Sequence, residues 1–151
     1  MYNDNRRAVR ELYAYRAQQP WQVPTSEAYL VLRAGCVLPP EEHAQLIRQY
    51  LAQCEKQKRP QRDNARVVLT GSFCEQPPLG LIKSIEMAGC YIVDDDFMLV
   101  TRWLLDDVPA DRSPLDELSK AFLHRSATSA AKYDATREEK GMFLLKQVKT
   151  R

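Results

Sequence analysis

The segment from Arg66 to Asp96 constrains the fold of this chain more than any other stretch. It contains an apolar run, a short polar loop, a helix-forming stretch and a second apolar run, and it ends in three aspartates. A strand, a loop, a helix and a second strand in that order are typical of a parallel β-α-β unit. Such units hold their chemistry where the carboxyl ends of the strands meet the loops. Functional residues are therefore expected in two short segments, Thr70–Gln76 and Asp94–Asp96.

Residue chemistry supports each part of this unit. Residues 67–69 form a continuous aliphatic run, which is typical of a strand that is buried on both faces. Residues 77–78 are prolines at the start of the predicted helix, where proline is tolerated, and Gly89 is a typical helix stop. Strands are therefore predicted near residues 66–71 and 90–94, and a right-handed crossover makes them parallel in one sheet.

The residues before this unit predict a helical lead segment over 1–62. Its apolar spacing and its prolines favour three helices, over Asn3–Gln18, Ser26–Ala34 and about 39–57. The first of these helices carries Val9, Leu12, Tyr13 and Arg16 on one face. The polar stretch EKQKRPQRDN then marks the boundary with the rest of the chain.

A partial α/β domain is predicted over 63–151. After the aspartates, the spacing favours further helices over 97–105, 114–123 and 135–148. Because two parallel strands do not make a stable sheet on their own, and the chain ends where another strand would start, we expect a fragment of a larger chain. The predicted fold class is α/β: a helical lead, a partial Rossmann-like parallel β-α-β unit and further helices.

Composition narrows the classes of function. The chain has 151 residues, the size of about one domain, and a net charge of +2 with basic and acidic residues interleaved. It has no dense basic stripe, so no nucleic-acid partner is expected. It has no apolar run of the roughly 20 residues that a membrane helix needs, and its polar amino terminus lacks the apolar core of a signal peptide. A cytoplasmic location is therefore expected.

The four cysteines are not spaced as a self-contained metal site. They are Cys36, Cys54, Cys74 and Cys90, and no two of them stand at CxxC spacing. Cys36, Cys54 and Cys90 are expected to be small buried apolar residues. Cys74 differs because it lies in the loop after the first strand, so a functional role and a packing role both stay open.

The sequence also predicts the positions of three other residues. Thr25 is predicted to cap the second helix. His43 and His124 are expected at the surface, since nothing in the sequence completes a catalytic triad around either of them.

Two groups of polar residues at the predicted strand ends are site candidates. The catalytic candidates are carboxylic acids, namely Asp94, Asp95, Asp96 and Glu75. Carboxylates packed together favour the protonated form of one of them, which suits a proton donor; the alternative is a helix cap with a solvated turn. The substrate-binding candidates are Gly71, which permits close approach of the backbone, and Ser72, which can donate to a thioester carbonyl or a phosphate.

The segments GSFCEQPP and CYIVDDDF resemble the benzoyl-CoA reductase and 2-hydroxyacyl-CoA dehydratase family of iron–sulfur proteins. Within that family the similarity is to the C (gamma) subunits of ATP-dependent reductases. YNDNRRAVRELYAYR and SATSAAKYDATREEKG extend the resemblance over nearly the whole chain.

The resemblance implies that this chain is part of an oxidoreductase complex of anaerobic bacteria that degrade aromatic compounds. Such an enzyme reduces the ring of benzoyl-CoA to a cyclic dienoyl-CoA, with electrons from ferredoxin and energy from ATP hydrolysis. It is a hetero-tetramer, in which partner subunits bind ATP and Mg²⁺ and the intact catalytic subunit holds a [4Fe–4S] cluster. The potential of such a cluster depends on its surroundings, its charge and its burial.

The cluster-binding cysteines that the resemblance implies lie mainly outside the segment of the family that this chain matches. Cys74 is an analogous strand-end cysteine, and it is expected to be a cluster ligand or to lie near the cluster or the acyl-CoA. The family's later Phe-Cys-Asp pattern does not occur in this sequence. Because a [4Fe–4S] cluster needs three or four thiolates, the isolated chain is expected to be inactive.

Two alternatives stay open beside a reductase subunit. The first keeps the family and changes the chemistry to that of a 2-hydroxyacyl-CoA dehydratase component. The second is a non-catalytic α/β binding or assembly module, which a stable, monomeric and iron-free protein would favour.

Overall fold

The computed structural model describes residues 1–69, 78–95, 106–125 and 137–150. The elements in these ranges, in chain order, are α1 (Tyr2–Gln18), α2 (Thr25–Ala34), α3 (Pro40–Gln57), β1 (Ala65–Leu69), α4 (Leu79–Met87), β2 (Cys90–Asp95), α5 (Pro114–Arg125) and α6 (Arg137–Thr150). The predicted helix over 97–105 lies outside them. Among the helices of these ranges, none combines the length and the apolar character needed to cross a membrane.

The predicted parallel β-α-β unit is present. β1 and β2 pair in parallel, and Ala65 lies opposite Cys90 and Val67 opposite Ile92. The register then shifts by one residue, because Val68 lies opposite Asp94. β2 therefore carries a β-bulge, and a bulge changes the direction in which the following side chains point.

The two strands differ in burial. In β2, residues 92–95 are all buried, as expected of a strand covered on both faces. In β1, residues 67–69 are only half-buried, so the prediction of a strand buried on both faces is wrong for β1. The difference arises because α1 and α4 both pack against β2.

The lead helices form the main apolar core. α3 packs against α1 and α2, and Leu12, Leu32 and Ile47 are buried between them. Burying one such side chain stabilises a fold by about 1.5–3 kcal/mol. The predicted inward face of α1, which includes Arg16, is confirmed because all four of its residues are buried. Cys54 is also buried in this core, as predicted.

Three single-residue predictions for this part of the chain are wrong. Cys36 is exposed, because it lies in the turn that follows α2 and not in a helix face that packs on the core. His43 is buried, because its position on α3 faces α2, and its Nε2 lies 3.0 Å from the carbonyl oxygen of Val31. Thr25 is the first residue of α2 rather than its cap.

The amino terminus of α2 is satisfied by another helix. The backbone N–H of Thr25 donates a hydrogen bond to Oε1 of Glu86 at 2.8 Å. Glu86 lies in the last turn of α4. A carboxylate suits a helix amino terminus because the first N–H groups of a helix have no partner within it.

The beginning of α1 is tied to the residues before α5. The Asn3 amide donates to the carbonyl oxygen of Val108 at 2.7 Å, and its oxygen accepts from the Val108 N–H at 2.9 Å. Arg7 and Arg10, also in α1, form ion pairs with Asp107. These contacts fix residues 107–108 against the first turns of α1.

Candidate functional site

The carboxyl end of β2 carries two buried carboxylates. Asp94 is 7% exposed and Asp95 is 5% exposed. Nη2 of Arg16, from α1, donates to Oδ2 of Asp95 at 2.8 Å, and the side chains of this ion pair are 1% and 0% exposed. The lead segment therefore reaches into the edge of the sheet where chemistry was predicted. The alternative interpretation as a solvated turn is wrong for Asp94 and Asp95.

Arg16 is held as a cation in this buried position. Burial alone would lower the pKa of Arg16. The nearby Asp95 raises it, and Tyr13 and Asp94 add smaller effects in the same direction, so the pKa of Arg16 is raised overall. Its guanidinium lies over the Tyr13 ring, 4.6 Å from the centroid, in cation–π geometry. Within the described residues, no hydrogen-bond partner occurs for Nε and Nη1 of Arg16.

Asp94 is linked to Asp95 through the backbone. Its Oδ1 accepts a hydrogen bond from the Asp95 N–H at 2.9 Å. The bulge of β2 lies immediately before these two residues. At the strand end Arg16 is therefore bonded to the side chain of Asp95, and the backbone of Asp95 is bonded to the side chain of Asp94.

The described residues include only part of the predicted site. Asp94 and Asp95 lie together at the end of β2, and Leu69, the last described residue of β1, pairs with Asp95. The strands thus reach the same edge, as predicted. The other candidates lie outside the described residues: Gly71, Ser72, Cys74, Glu75 and Asp96.

The described cysteines do not fit a cluster. Cys36 follows the end of α2, and Cys54 lies on the face of α3 that packs on the core. Cys90 is the first residue of β2, at the end opposite Asp95. In the ranges that the structure covers, no three His, Cys, Asp or Glu side chains are grouped to hold a metal ion. Since a [4Fe–4S] cluster needs three or four thiolates, these three cysteines do not form its ligand set.

A separate cavity lies at the opposite edge of the sheet. Its volume is about 270 Å³, and it is lined by Trp21, Arg59, Cys90 and Tyr91, among others. The guanidinium of Arg59 is already engaged by Glu27 at 2.8 Å. The buried carboxylates of β2 are therefore the better candidate for chemistry.

Arg16 is the member of the strand-end group that sequence reasoning missed. The spacing placed it correctly on the inward face of α1, but its partner is 79 residues away in the chain. The signal was present as a cation within an otherwise apolar stripe, because a buried arginine needs an anionic partner.

Comparisons with known proteins extend over the whole chain. The family model for HGD-D, the 2-hydroxyglutaryl-CoA dehydratase D-component, matches residues 1–151. The chain is 54% identical over 150 residues to the C subunit of benzoyl-CoA reductase from Thauera aromatica, a match that covers 99% of the chain and 39% of that protein.

Two dehydratase subunits are also similar. The chain is 27% identical over 146 residues to the beta subunit of lactoyl-CoA dehydratase from Anaerotignum propionicum, covering 96% of the chain and 38% of that protein. It is 20% identical over 151 residues to the (R)-phenyllactyl-CoA dehydratase beta subunit of Clostridium sporogenes, covering 100% of the chain and 39% of that protein. The chain thus spans well under half the length of these curated relatives, which is consistent with the expectation of a larger polypeptide.

Proposed function

The chain belongs to the 2-hydroxyglutaryl-CoA dehydratase D-component family, and from that premise we propose that it is part of the catalytic C subunit of an ATP-dependent benzoyl-CoA reductase. One observation carries this proposal. The identity is 54% to a benzoyl-CoA reductase subunit, against 27% and 20% to two dehydratase subunits. All three matches cover at least 96% of the chain, so the difference is measured over the same residues.

The proposed reaction is reduction of the aromatic ring of benzoyl-CoA to a cyclic dienoyl-CoA. Forming a diene from the ring adds two hydrogens, which requires two electrons and two protons. The electrons come from reduced ferredoxin, and partner subunits that bind ATP and Mg²⁺ drive the transfer. The names of the relatives, each a subunit of an enzyme, support a hetero-oligomer, proposed here as a hetero-tetramer.

In this proposal the strand-end carboxylates handle protons. Asp94 and Asp95 lie buried at the end of β2, where water competes least for them. Asp96, Glu75, Gly71 and Ser72 keep their predicted roles, as acids in the first two cases and as thioester-binding residues in the last two. Their inclusion is supported by chain order, since they follow Asp95 or Leu69 and these two residues are paired.

A [4Fe–4S] cluster is proposed for the intact subunit and not for the described residues of this chain. Cys36, Cys54 and Cys90 lie on separate elements and do not fit as its ligands. Cys74 stays a proposed ligand or neighbour of the cluster. The remaining thiolates would come from the part of the relatives' length that this chain does not span.

A 2-hydroxyacyl-CoA dehydratase component is the second candidate. The description of the family and the names of two relatives favour it. Dehydration removes water from the substrate without a net gain of electrons, so its products differ from those of ring reduction. A non-catalytic α/β module is the remaining alternative.

The test uses the complete subunit, produced anaerobically together with its partner subunits. Oxidation of reduced ferredoxin is followed after addition of benzoyl-CoA, with and without MgATP, and the acyl-CoA product is identified by mass. We expect ATP-dependent oxidation and a product that carries two additional hydrogens.

Two other results would contradict this function. Loss of water from lactoyl-CoA or phenyllactyl-CoA, without reduction of benzoyl-CoA, would assign a dehydratase. A stable, iron-free monomer that is inert toward all three thioesters would assign a non-catalytic module.

A further inference from the structure

Arg16 and Asp95 form a deeply buried ion pair at the strand end. Among the ion pairs between described residues, only this one has both side chains almost completely buried. The pairs Arg48–Asp4 and Arg7–Asp107, by contrast, are partly open to solvent. No motif in the sequence predicts this pair.

Stability alone does not account for this pair. Taking two ions out of water costs several kcal/mol for each ion, and well-packed apolar residues in their place are often neutral or stabilising. Within the described residues, Arg16 offsets this cost with one hydrogen bond and a cation–π contact, while its Nε and Nη1 have no hydrogen-bond partner. Costly arrangements of this kind are expected at functional sites.

The pair acts on the residues that carry the proposed chemistry. Nη2 of Arg16 fixes the Asp95 carboxylate, and the Asp95 N–H donates to Oδ1 of Asp94. The shift in the register of β2 lies directly before Asp94, and shifts of this kind can redirect the side chains that follow. Arg16 thus holds the side chain of the residue whose backbone N–H holds the Asp94 carboxylate.

We propose that Arg16 is a positioning residue of the acyl-CoA site: it holds Asp95 in one orientation, and through Asp95 it orients the Asp94 carboxylate toward the substrate. Arg16 does not touch the substrate itself. This role rests on the proposed function, which supplies the acyl-CoA substrate. It explains why α1 places a buried cation at the edge of the sheet.

The experiment compares variants of the complete, assembled enzyme in the benzoyl-CoA assay. In Arg16→Met/Asp95→Asn both charges of the pair are removed together, and Asp95→Asn alone is measured beside it because Asp95 is itself a proposed acid. In Arg16→Lys the charge is kept, but the planar group over Tyr13 is lost. The matched control is Arg48→Met, which removes an arginine from an exposed ion pair on α3.

The expected results separate positioning from structure. Arg16→Lys should assemble and lower kcat by about 10–100-fold, because small misplacements of reacting groups cost this much, while KM stays unchanged. Arg16→Met/Asp95→Asn should have the same kcat as Asp95→Asn, because Arg16 acts through Asp95. Arg48→Met should keep the wild-type kcat. If the double variant does not assemble, Arg16→Lys decides the question.

A wild-type kcat in an assembled Arg16 variant would overturn the positioning role and leave the proposed function intact. A wild-type complex that acts on neither benzoyl-CoA nor a 2-hydroxyacyl-CoA would overturn both. If the wild type proves to be a dehydratase, the same comparison of kcat is made with that substrate.

Discussion

Gly35 lies directly against the imidazole ring of His43. A Cβ atom added at Gly35 would stand 2.4 Å from Cε1 and 2.5 Å from Nδ1 of that ring. The ring is buried and bonded to the Val31 carbonyl, so it has little room to move away. The turn after α2 and the first turn of α3 are thus fitted to each other at these two residues.

Gly35→Ala should therefore destabilise the protein by about 1–3 kcal/mol, the usual range for overpacking a closed site. The backbone is not the reason, since Gly35 has φ −66° and ψ −10°, which alanine adopts freely. Urea unfolding of both proteins measures the difference. Gly80→Ala in α4 is the matched control, because a Cβ there meets nothing within 4 Å. Equal stability of Gly35→Ala and wild type would contradict the close fit.

His43 should make stability depend on pH. Burial lowers its pKa, and the hydrogen bond to Val31 opposes this only in part. The unfolded chain, with a pKa of about 6.5, therefore binds a proton that the folded chain excludes. Stability should be unaffected by this group above about pH 6.5 and should fall as the pH drops below it.

The check is a comparison with His43→Gln, which retains a donor for the Val31 carbonyl. Unfolding free energies are measured between pH 7 and pH 5. The difference between wild type and variant should shrink toward acid, because only the wild type gains the proton on unfolding. A constant difference over this range would show that His43 does not titrate differently in the folded protein.

Breaking the buried ion pair on one side should cost more than removing both charges. Arg16→Met removes a buried ion-pair partner of Asp95, and we expect a loss of about 3–5 kcal/mol. Arg16→Met/Asp95→Asn should be more stable than Arg16→Met. Thermal unfolding of the single variants, the double variant and wild type gives the coupling free energy, and strictly additive losses would argue against a direct interaction.

Glu86 should contribute to the stability of α2 although it lies in α4. Glu86→Ala removes the acceptor of the Thr25 N–H, and loss of such a cap costs about 1 kcal/mol. Lys83→Ala, at an exposed position of the same helix, is the control and should change little. Amide hydrogen exchange at the start of α2 should accelerate in Glu86→Ala. Unchanged exchange there would mean that the hydrogen bond does not hold the helix end.

Local patterns in the sequence predicted the secondary structure well. The spacing of apolar residues indicated α1 and its buried face, and the succession of apolar run, loop and helix indicated the parallel β-α-β unit. These features depend on neighbours within a few residues, so the sequence alone contains the information. The strand-end location of Asp94 and Asp95 follows from the same unit.

The parts that sequence reasoning missed depend on residues far apart in the chain. Arg16 meets Asp95 across 79 residues, and Thr25 meets Glu86 across 61. His43 is buried because α3 folds back on the turn that holds Gly35. Residue type and periodicity do not specify which partners meet, because that is decided by how the elements pack.

Because α1 contacts later parts of the chain, the complete fold can form only after those parts are present. α1 is made before every partner that it holds at Asp95, Asp107 and Val108, and its hydrogen bonds to Asp95 and Val108 span 79 and 105 residues of chain. Contacts of such separation require large loops to close and slow the search for the native state. A nascent chain would therefore carry α1 without these partners, with the Arg16 cation still hydrated, until the later segments are made. Removing α1 would abolish these three anchoring points together with its packing against α3, so an amino-terminal truncation should damage the edge of the sheet as well as the helical core.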